Sequence, residues 1–326
     1  MPTLPADGIL RTTLLLGGSP TSILIVGATG SVGGEITRRL AARGLRVAGL
    51  VRGGSVHPKA NQLTAAGVTT VPGDLANPGS LAPAVKNVET IVCTATSMPT
   101  GADDGLRRVD REGTLALIDA AEQHGVKKFG YVAYSGNIRE DSPLETAKRQ
   151  CEARLQSSAI ETVVLRPSYF MEMWLSPVLG FEPASGSARI YGSGNAKISY
   201  ISAFDVAEFA AIAAKRKYSR QHTILELGGP QPLSQLDAAR IFERAWNIKL
   251  KLHCLPEQAL EEQYKSSDPL QKTFAALMLA YAKGDSVDGA QSVARDHGVS
   301  LRSVEQYATR SARQAKSSVA ASDAAW

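Results

Sequence analysis

Three glycines spaced as G-x-x-G-x-x-G could hold a phosphate group. Gly27, Gly30 and Gly33 directly follow the aliphatic run ILIV and open a helix-like pattern, although Ala28 departs from the more general G-x-G-x-x-G fingerprint. Glycines leave room for the diphosphate of a nucleotide, and the first turn of the helix offers free backbone N–H groups. The spacing therefore predicts dinucleotide binding rather than its alternative, a tight turn without a ligand. The same turn contains Thr29, Ser31 and Val32, which are expected to contact the dinucleotide.

The residue after the second strand pattern bears on which dinucleotide would bind. In folds with such glycine turns, an acidic residue about 20 positions further on binds the 2′-hydroxyl of the adenosine ribose. The sequence there reads LVRGG, with Arg52 in place of a carboxylate. A cation suits a 2′-phosphate, so we expect NADP(H) to be preferred, with NAD(H) as the second choice. The alternative for Arg52 alone is a solvated arginine at the end of a strand.

Short β-branched runs alternate with longer amphipathic stretches, and these elements would position both motifs. Strands are predicted at 22–26, 46–51, 68–72, 90–95, 127–134 and 161–167. Helices are predicted between them at 32–43, 78–86, 105–124 and 143–157. Strands separated by helices of this length pair in parallel through right-handed crossovers. The pattern predicts an α/β fold with a Rossmann-type, doubly wound parallel sheet.

The regular alternation of strand and helix patterns ends after residue 167. A stretch rich in Tyr, Met, Trp, Gly and Pro comes first, and it is followed by further predicted elements at 197–214, 222–229, 232–246, 258–284 and 301–314. We therefore expect a smaller, mostly helical C-terminal substrate lobe beside the nucleotide-binding domain. The predicted division is an N-terminal extension (1–21), a Rossmann domain (22–167 with 197–228), a substrate lobe (168–196 with 229–314) and a disordered tail (315–326).

Composition and charge narrow the possible partners. Of the 326 residues, 44% are hydrophobic and 21% are charged, and the formal net charge of +5 is spread along the chain. This balance suits an anionic small ligand and lacks the clustered basic and aromatic residues of a nucleic-acid-binding surface. No apolar run approaches the roughly 20 residues of a membrane-spanning helix. We expect neither nucleic acid nor a membrane among the partners.

Cysteine and histidine usage argues against disulfides and metal sites. Cys93, Cys151 and Cys254 are scattered without a CxxC pair, and the five histidines show no metal-ligand spacing. No metal is therefore predicted. The same usage is typical of a reducing compartment, so a cytoplasmic location is expected.

Several motifs, in their order and spacing, resemble the atypical short-chain dehydrogenases/reductases, and specifically their NmrA-like branch with its isoflavone reductase-like and quinone reductase-like members. The matching segments are GATGSVGG (27–34), VR (51–52), GDLANPGSL (73–81), VDREGTLALIDAAEQHGVKKFGYVAYSG (109–136), AKRQCEARL (147–155), VVLRPSYFMEMW (163–174), ISAFDVAEFAA (201–211) and ELGGPQPLSQLDAA (226–239). The resemblance implies a Rossmann-type domain, a bound NAD(P) and a small-molecule substrate in the cleft beside the small lobe. It leaves a homo-oligomer open.

The resemblance also implies further cofactor contacts. Asp74, in the GD pair, matches the carboxylate that contacts adenine in such proteins. Its alternative role is the N-cap of the helix at 78–86, and the two roles are compatible. The same cofactor is expected to lie along three further residues. These are Leu75, beside Asp74, and Thr94 and Ala95 at the end of the fourth strand.

One lysine bears on whether the chain catalyses a reaction. Short-chain dehydrogenases usually act through Tyr-x-x-x-Lys on a helix, where the ammonium lowers the phenol pKa and holds the nicotinamide ribose. Here the lysine matches Lys148, which is also counted among the cofactor contacts, but the tyrosine position is Leu144. In the reductases that the chain resembles, a lysine can serve without a tyrosine, by donating a proton or by stabilising a phenolate or enolate. The alternative is that Lys148 is a solvated helix residue.

Further candidates lie near the expected cleft. Ser135 closes the fifth strand, where short-chain enzymes place a polar residue that faces the nicotinamide; its alternative is a turn beside Gly136. Tyr131 and Tyr134 could replace the lost phenol, but at opposite parity on one strand only one can face the cleft. An aromatic run after the sixth strand suits either the wall of a substrate pocket or a packed lobe interface. Its members are Tyr169, Phe170, Met171 and Trp174.

These residues lead to one leading hypothesis and two alternatives. The leading hypothesis is an NADPH-dependent oxidoreductase that transfers hydride to a planar conjugated or aromatic acceptor, such as a quinone or enone, with Lys148 supplying charge or a proton. The first alternative is a non-catalytic NAD(P)-sensing regulator read by a protein partner, which the missing tyrosine favours. The second is a scaffold with a vestigial pocket, which no nucleotide would stabilise.

Overall fold

A parallel sheet of seven strands lies at the centre of the computed structural model, which describes residues 23–53, 58–98 and 104–323. Its strands are β1 (Ile23–Val26), β2 (Val47–Val51), β3 (Thr69–Pro72), β4 (Thr90–Cys93), β5 (Lys128–Val132), β6 (Glu161–Pro167) and β10 (His222–Leu227). Their order across the sheet is β10–β6–β5–β4–β1–β2–β3. The chain runs outward from β1 to β3 and then crosses back to β4. The carboxyl ends of β1 and β4 therefore border the crevice in which doubly wound folds bind dinucleotides.

Helices cover both faces of this sheet. They are α1 (Ser31–Ala42), α2 (Ala60–Ala65), α3 (Leu81–Val85), α4 (Thr114–Gln123), α5 (Pro143–Gln156) and α7 (Ala203–Ala213). Alternate side chains of β1 enter two separate cores: Ile23 and Ile25 pack with α1 and α7, whereas Leu24 and Val26 pack with α3, α4 and α5. Strands that are apolar on both faces are typical of a parallel sheet between two helical layers.

The remaining elements form a smaller lobe with its own core, apart from α11, which packs back against β10. Its strands are β7 (Phe181–Glu182), β8 (Ser187–Tyr191), β9 (Lys197–Ile198), β11 (Leu233–Ser234) and β12 (Lys251–Leu255). The helices of this part of the chain are α6 (Met171–Trp174), α8 (Gln235–Trp246), α9 (Glu257–Tyr264), α10 (Pro269–Lys283), α11 (Ala290–His297) and α12 (Val304–Asp323). Tyr200 and Tyr281 lie at the centre of this core and hydrogen bond to each other.

The predicted fold class is confirmed, and the differences concern local boundaries. The helix expected at 258–284 is two helices, because Pro269 cannot continue a helix and starts α10 under the cap of Asp268. The helix expected to end at 314 continues to Asp323, so the tail predicted to be disordered from 315 is helical that far; its Ala, Ser and Lys residues allow a helix to continue. The predicted N-terminal extension lies outside the described residues. Within those residues, no helix combines the length and apolarity needed to cross a membrane.

Candidate cofactor and active site

The turn between β1 and α1 is closed so tightly that it has no room for side chains. Gly27 has a φ of +93°, and its carbonyl accepts the Gly30 N–H at 2.9 Å. A Cβ on Gly33 would stand 2.2 Å from that carbonyl oxygen. No described side chain caps the amino end of α1 behind Gly30, so its first N–H groups are available to an anion.

The end of β4 lies directly against the glycine turn. A Cβ on Gly27 would be 2.7 Å from Thr94 Oγ1 and 3.0 Å from the Ala95 nitrogen. The structure therefore brings Thr94 and Ala95 next to the turn, and their contact with a cofactor remains a prediction. In the turn itself Ser31 is exposed, and Thr29 and Val32 are half-buried. Their contacts with a cofactor remain a prediction.

Two cations lie in the segment between β2 and α2. Arg52 is exposed and follows the last residue of β2, where the sequence predicted it. Lys59, at the start of α2, donates to the Thr29 carbonyl at 2.8 Å. Lys59 was not predicted from the sequence, and the only indication of it was its position shortly after the second strand. A contact of Arg52 with a cofactor phosphate remains a prediction.

The GD pair is held by local hydrogen bonds. One oxygen of the Asp74 carboxylate accepts the Ala76 N–H at 2.9 Å, so it caps its own turn. It is not the N-cap of the following helical segment, which begins after Asn77. Leu75 is buried beneath it, and a Cβ on Gly113 would lie 2.2 Å from the Leu75 carbonyl oxygen. The adenine contact remains a prediction for both Asp74 and Leu75.

Lys148 is a buried side chain of α5, so its interpretation as a solvated helix residue is wrong. The helix starts at Pro143 under the cap of Ser142, and this start places Leu144 and Lys148 one turn apart on its buried side. Lys148 is 5% exposed. Its ammonium lies 3.7 Å from Asp110 Oδ1 and 5.1 Å from the ring centre of Tyr131. The lysine therefore carries its charge beside β4 and β5, with a carboxylate as counter-charge.

Asp110 is a site residue that sequence reasoning missed. It is fully buried in a π-helical stretch, Leu106–Gly113, that leads into α4. Its Oδ2 accepts both the N–H (2.8 Å) and the O–H (2.6 Å) of Ser97, and its Oδ1 has no hydrogen bond within the described residues and faces Lys148. The sequence signal for Asp110 was its spacing. It lies at helical spacing from Leu106 and Gly113, and the helical pattern places this side of the segment in the interior. Asp110 thus joins the segment after β4 to the lysine on α5.

The thiols beneath Lys148 provide a chemical test of this arrangement. Burial raises the pKa of Cys93 to about 11 and that of Cys151 to about 12, whereas Cys254 is exposed on β12. Since the thiolate is the reactive form, we expect one fast-reacting thiol per chain when the native protein meets Ellman's reagent at pH 8. Cys254→Ser should remove that phase, and denaturation should restore the reactivity of the other two. A second fast thiol in Cys254→Ser would contradict the described packing.

The other catalytic candidates occupy different surroundings. Ser135 is fully buried, and its hydroxyl donates to Asp285 Oδ1 at 2.8 Å. Tyr131 is in the core beneath Lys148, whereas Tyr134 packs toward the lobe, and burial raises the pKa of the Tyr134 phenol. The Arg149 guanidinium lies 5.2 Å from the Tyr134 ring centre. A catalytic role for Ser135 or Tyr134 remains a prediction.

The aromatic run after β6 packs mainly into the lobe. Tyr169 and Met171 are buried in the lobe core, and Trp174 stacks on Tyr281 with ring centres 4.3 Å apart. Phe170 turns the other way and packs against the core of α1 and α7. The packed-lobe alternative therefore describes most of this segment, and its role as a pocket wall remains a prediction.

A partly buried network of ion pairs, centred on the buried Glu152, fixes α5 to the ends of β6 and β10. Arg166 binds Glu152 of α5 and Glu226 of β10, and Glu226 also accepts the Gly136 N–H. Arg149 pairs with the same Glu152 at 2.8 Å and donates to the Ser135 carbonyl. The network holds the helix of Lys148 in register with the carboxyl end of β5.

Comparisons with known proteins show similarity in both sequence and fold. The model of the NmrA-like family matches residues 19–309. Photosystem II assembly factor Ycf39 of Trieres chinensis is 29% identical over 72% of this chain and 72% of its own length. NAD(P)H azoreductase of Xenophilus azovorans is 30% identical over 68% of this chain and 73% of its own. Among solved structures, the NADPH complex of quinone oxidoreductase QOR2 from Escherichia coli superposes with a TM-score of 0.72 at 19% identity, over 88% of this chain and 99% of that one.

Proposed function

The chain belongs to the NmrA-like family, and we propose that it is an NADPH-dependent oxidoreductase that transfers hydride to a planar conjugated or aromatic acceptor. The observation that carries the proposal is the bare turn at Gly27–Gly33, which leads into an uncapped helix. Such a turn accommodates a diphosphate, and a 2′-phosphate on the adenosine ribose could be met by Arg52 after β2 and by Lys59, which donates to the Thr29 carbonyl of the turn. The azoreductase relative and the QOR2 structure support the choice of cofactor and reaction class.

Each side chain then has an assigned role. NADPH supplies the hydride. The turn holds its pyrophosphate, Arg52 and Lys59 hold the 2′-phosphate, and Asp74 contacts the adenine. Lys148 stabilises the negative charge that develops on the acceptor, because a buried ammonium acts strongly in a site of low dielectric. Asp110 keeps that ammonium in place.

Arg52→Ala should weaken NADPH binding and leave NADH binding unchanged. Losing one charge-assisted contact to a phosphate costs about 1.5–3 kcal/mol, or roughly 10- to 100-fold in Kd. Calorimetric titration with both coenzymes measures the difference. Arg46→Ala, an exposed arginine at the opposite end of β2, is the matched control. Equal losses for NADPH and NADH would show that Arg52 does not contact a 2′-phosphate.

A survey of acceptors tests the reaction class. NADPH oxidation would be followed with quinones, enones and aryl ethers, using wild-type protein and Lys148→Ala. We expect turnover with at least one conjugated acceptor and its loss in the variant. Failure to reduce any of them by a protein that binds NADPH would contradict the enzymatic proposal.

The second candidate function is a non-catalytic NAD(P)-sensing regulator. Leu144 is buried at the position of the usual tyrosine, and the relatives named as assembly factors favour this candidate. It predicts that a protein partner is retained at one ratio of reduced to oxidised cofactor and released at another. Identical partners at both ratios would count against it.

A further inference from the structure

The strand β12 lies at the edge of the lobe's small sheet and is open to solvent on both faces. The order of that sheet is β12–β8–β7, so within the described part of the chain β12 has a neighbouring strand on one side only. The residues from Lys251 to Cys254 are all exposed, and the apolar side chain among them, Leu252, is 41% exposed. An open edge of this kind is a template for pairing with a further strand.

The backbone groups at the open edge belong to Leu252 and Cys254. The Lys251 N–H donates to the Gly186 carbonyl at 2.9 Å, so Lys251 faces β8, and the parallel register continues to Leu255. Because the direction of the backbone groups alternates along a strand, Leu252 and Cys254 face away from β8. Each of them presents one N–H and one carbonyl, and no described strand pairs with these groups.

The open edge is bounded on both sides by groups that cannot pair. On one side the Leu250 N–H is already donated to Glu243 Oε1 at 3.0 Å. On the other side Pro256 has no N–H to donate. A strand that joins β12 can therefore form its full set of hydrogen bonds only with the two residues between these limits. This restriction determines the register of the pairing.

We propose that β12 pairs antiparallel with β12 of a second copy of this chain, around a two-fold axis at His253. Leu252 then lies opposite the partner's Cys254, and each such pair exchanges two hydrogen bonds. An axis at Cys254 would set Leu252 opposite a proline, Pro256, and an axis at Leu252 would set Cys254 opposite the occupied N–H of Leu250. The axis at His253 is the one that satisfies every open backbone group, and it closes the assembly as a dimer.

The side chains that this register brings together are complementary. Leu252 packs beside the partner's Cys254 on one face, so its exposed apolar surface is covered. The two copies of Lys251 stand at opposite ends of the paired strands and do not oppose each other. Continuing the same register sets Lys249, whose side chain is 92% exposed, toward the partner's Glu257. Opposite charges across paired strands are stabilising.

Sedimentation velocity tests whether the dimer forms. A pairing of this size is typical of a weak interface, so the dimer fraction of wild-type protein should rise between about 1 and about 100 µM. Leu252→Lys should raise the dimer Kd about tenfold, because an apolar contact is lost twice by symmetry. Val178→Lys makes the same change at another exposed apolar residue, 66% exposed, and should leave the Kd unchanged. Wild-type protein that stays monomeric throughout this range overturns the proposal, and this result needs no variant to fold.

Cysteine cross-linking tests the register. The two copies of His253 would form a non-hydrogen-bonded pair with Cα atoms about 4.5 Å apart, which a disulfide can span. His253→Cys/Cys254→Ser should therefore give a covalent dimer when it is treated with diamide. The wild-type Cys254 and the variant Leu252→Cys/Cys254→Ser place their thiols on diagonals of roughly 7–8 Å and should stay monomeric on a denaturing gel.

The three thiol positions are equally exposed, so the pattern separates pairing from collision. Equal cross-linking at all three would show random encounter and overturn the proposed register, and so would cross-linking at Leu252→Cys without cross-linking at His253→Cys. The strand carries none of the cofactor or catalytic residues. A monomeric protein that oxidises NADPH would therefore contradict this inference alone, whereas a dimer that binds no NADPH would contradict the proposed function alone.

Discussion

Gly33→Ala is expected to abolish NADPH binding. The new methyl group would stand 2.2 Å from the Gly27 carbonyl oxygen and 2.7 Å from Thr94 Oγ1, so the turn must open. Overpacking against backbone of this kind costs about 3 kcal/mol or more, which corresponds to at least about 100-fold in affinity if the turn must re-form to bind. NADPH titration followed by nicotinamide fluorescence measures the loss, and circular dichroism confirms that the variant is folded.

The neighbouring glycine provides the control. A Cβ on Gly34 would meet only the Ala28 carbonyl oxygen, at 3.3 Å, and alanine is about 1 kcal/mol better than glycine within a helix. Gly34→Ala should therefore bind NADPH nearly as wild type does. Equal binding by Gly33→Ala and Gly34→Ala would show that the turn does not hold the diphosphate.

Lys148→Met is expected to lower kcat by about 10²–10³, the usual effect of removing one group that stabilises charge in the transition state. Methionine keeps most of the buried stem but leaves the Asp110 carboxylate without its counter-charge, so circular dichroism must first confirm that the variant is folded. Steady-state rates with the best acceptor provide the measurement. Lys86→Met, at an exposed lysine, is the control and should have no effect. A Lys148→Met variant with wild-type turnover would contradict the role of the lysine.

Asp110→Asn tests whether the ion pair positions Lys148, because the variant keeps the lysine and removes its counter-charge. The change leaves a buried ammonium without a counter-charge, which costs about 3 kcal/mol of unfolding free energy. The double variant Lys148→Met/Asp110→Asn should recover much of that stability and remain inactive, because the two residues interact directly. Additive losses in denaturant melts would show that the pair is not coupled.

The fold was predictable because its elements follow strong periodicities. The strands from β1 to β6 are short β-branched runs bounded by turn residues, and each is observed within three residues of its expected ends. Short elements escaped prediction, because α2 and β7 carry too few residues to show a period and are fixed by tertiary packing. Pro269 indicates that the segment predicted to be helical at 258–284 is divided in two. The apolar pattern continues on both sides of the proline and suggests a single helix instead.

The site was predictable where backbone geometry determines it and less so where partners come from distant segments. The glycines and Arg52 stand in a local sequence pattern, so their placement followed from spacing alone. Asp110 became visible only once the fold brought the π-helical stretch beside α5. Single acidic residues in helical or loop patterns are usually solvated, and only their burial identifies them as site residues.

Titration of wild-type protein with NADPH and NADH by calorimetry tests the central claim most directly. We expect saturable binding of one NADPH per chain at micromolar concentration, at least about tenfold tighter than NADH, since Arg52 and Lys59 have a 2′-phosphate to meet only in NADPH. If neither coenzyme is bound at millimolar concentration, the turn at Gly27–Gly33 does not hold a dinucleotide and the proposed hydride chemistry is wrong.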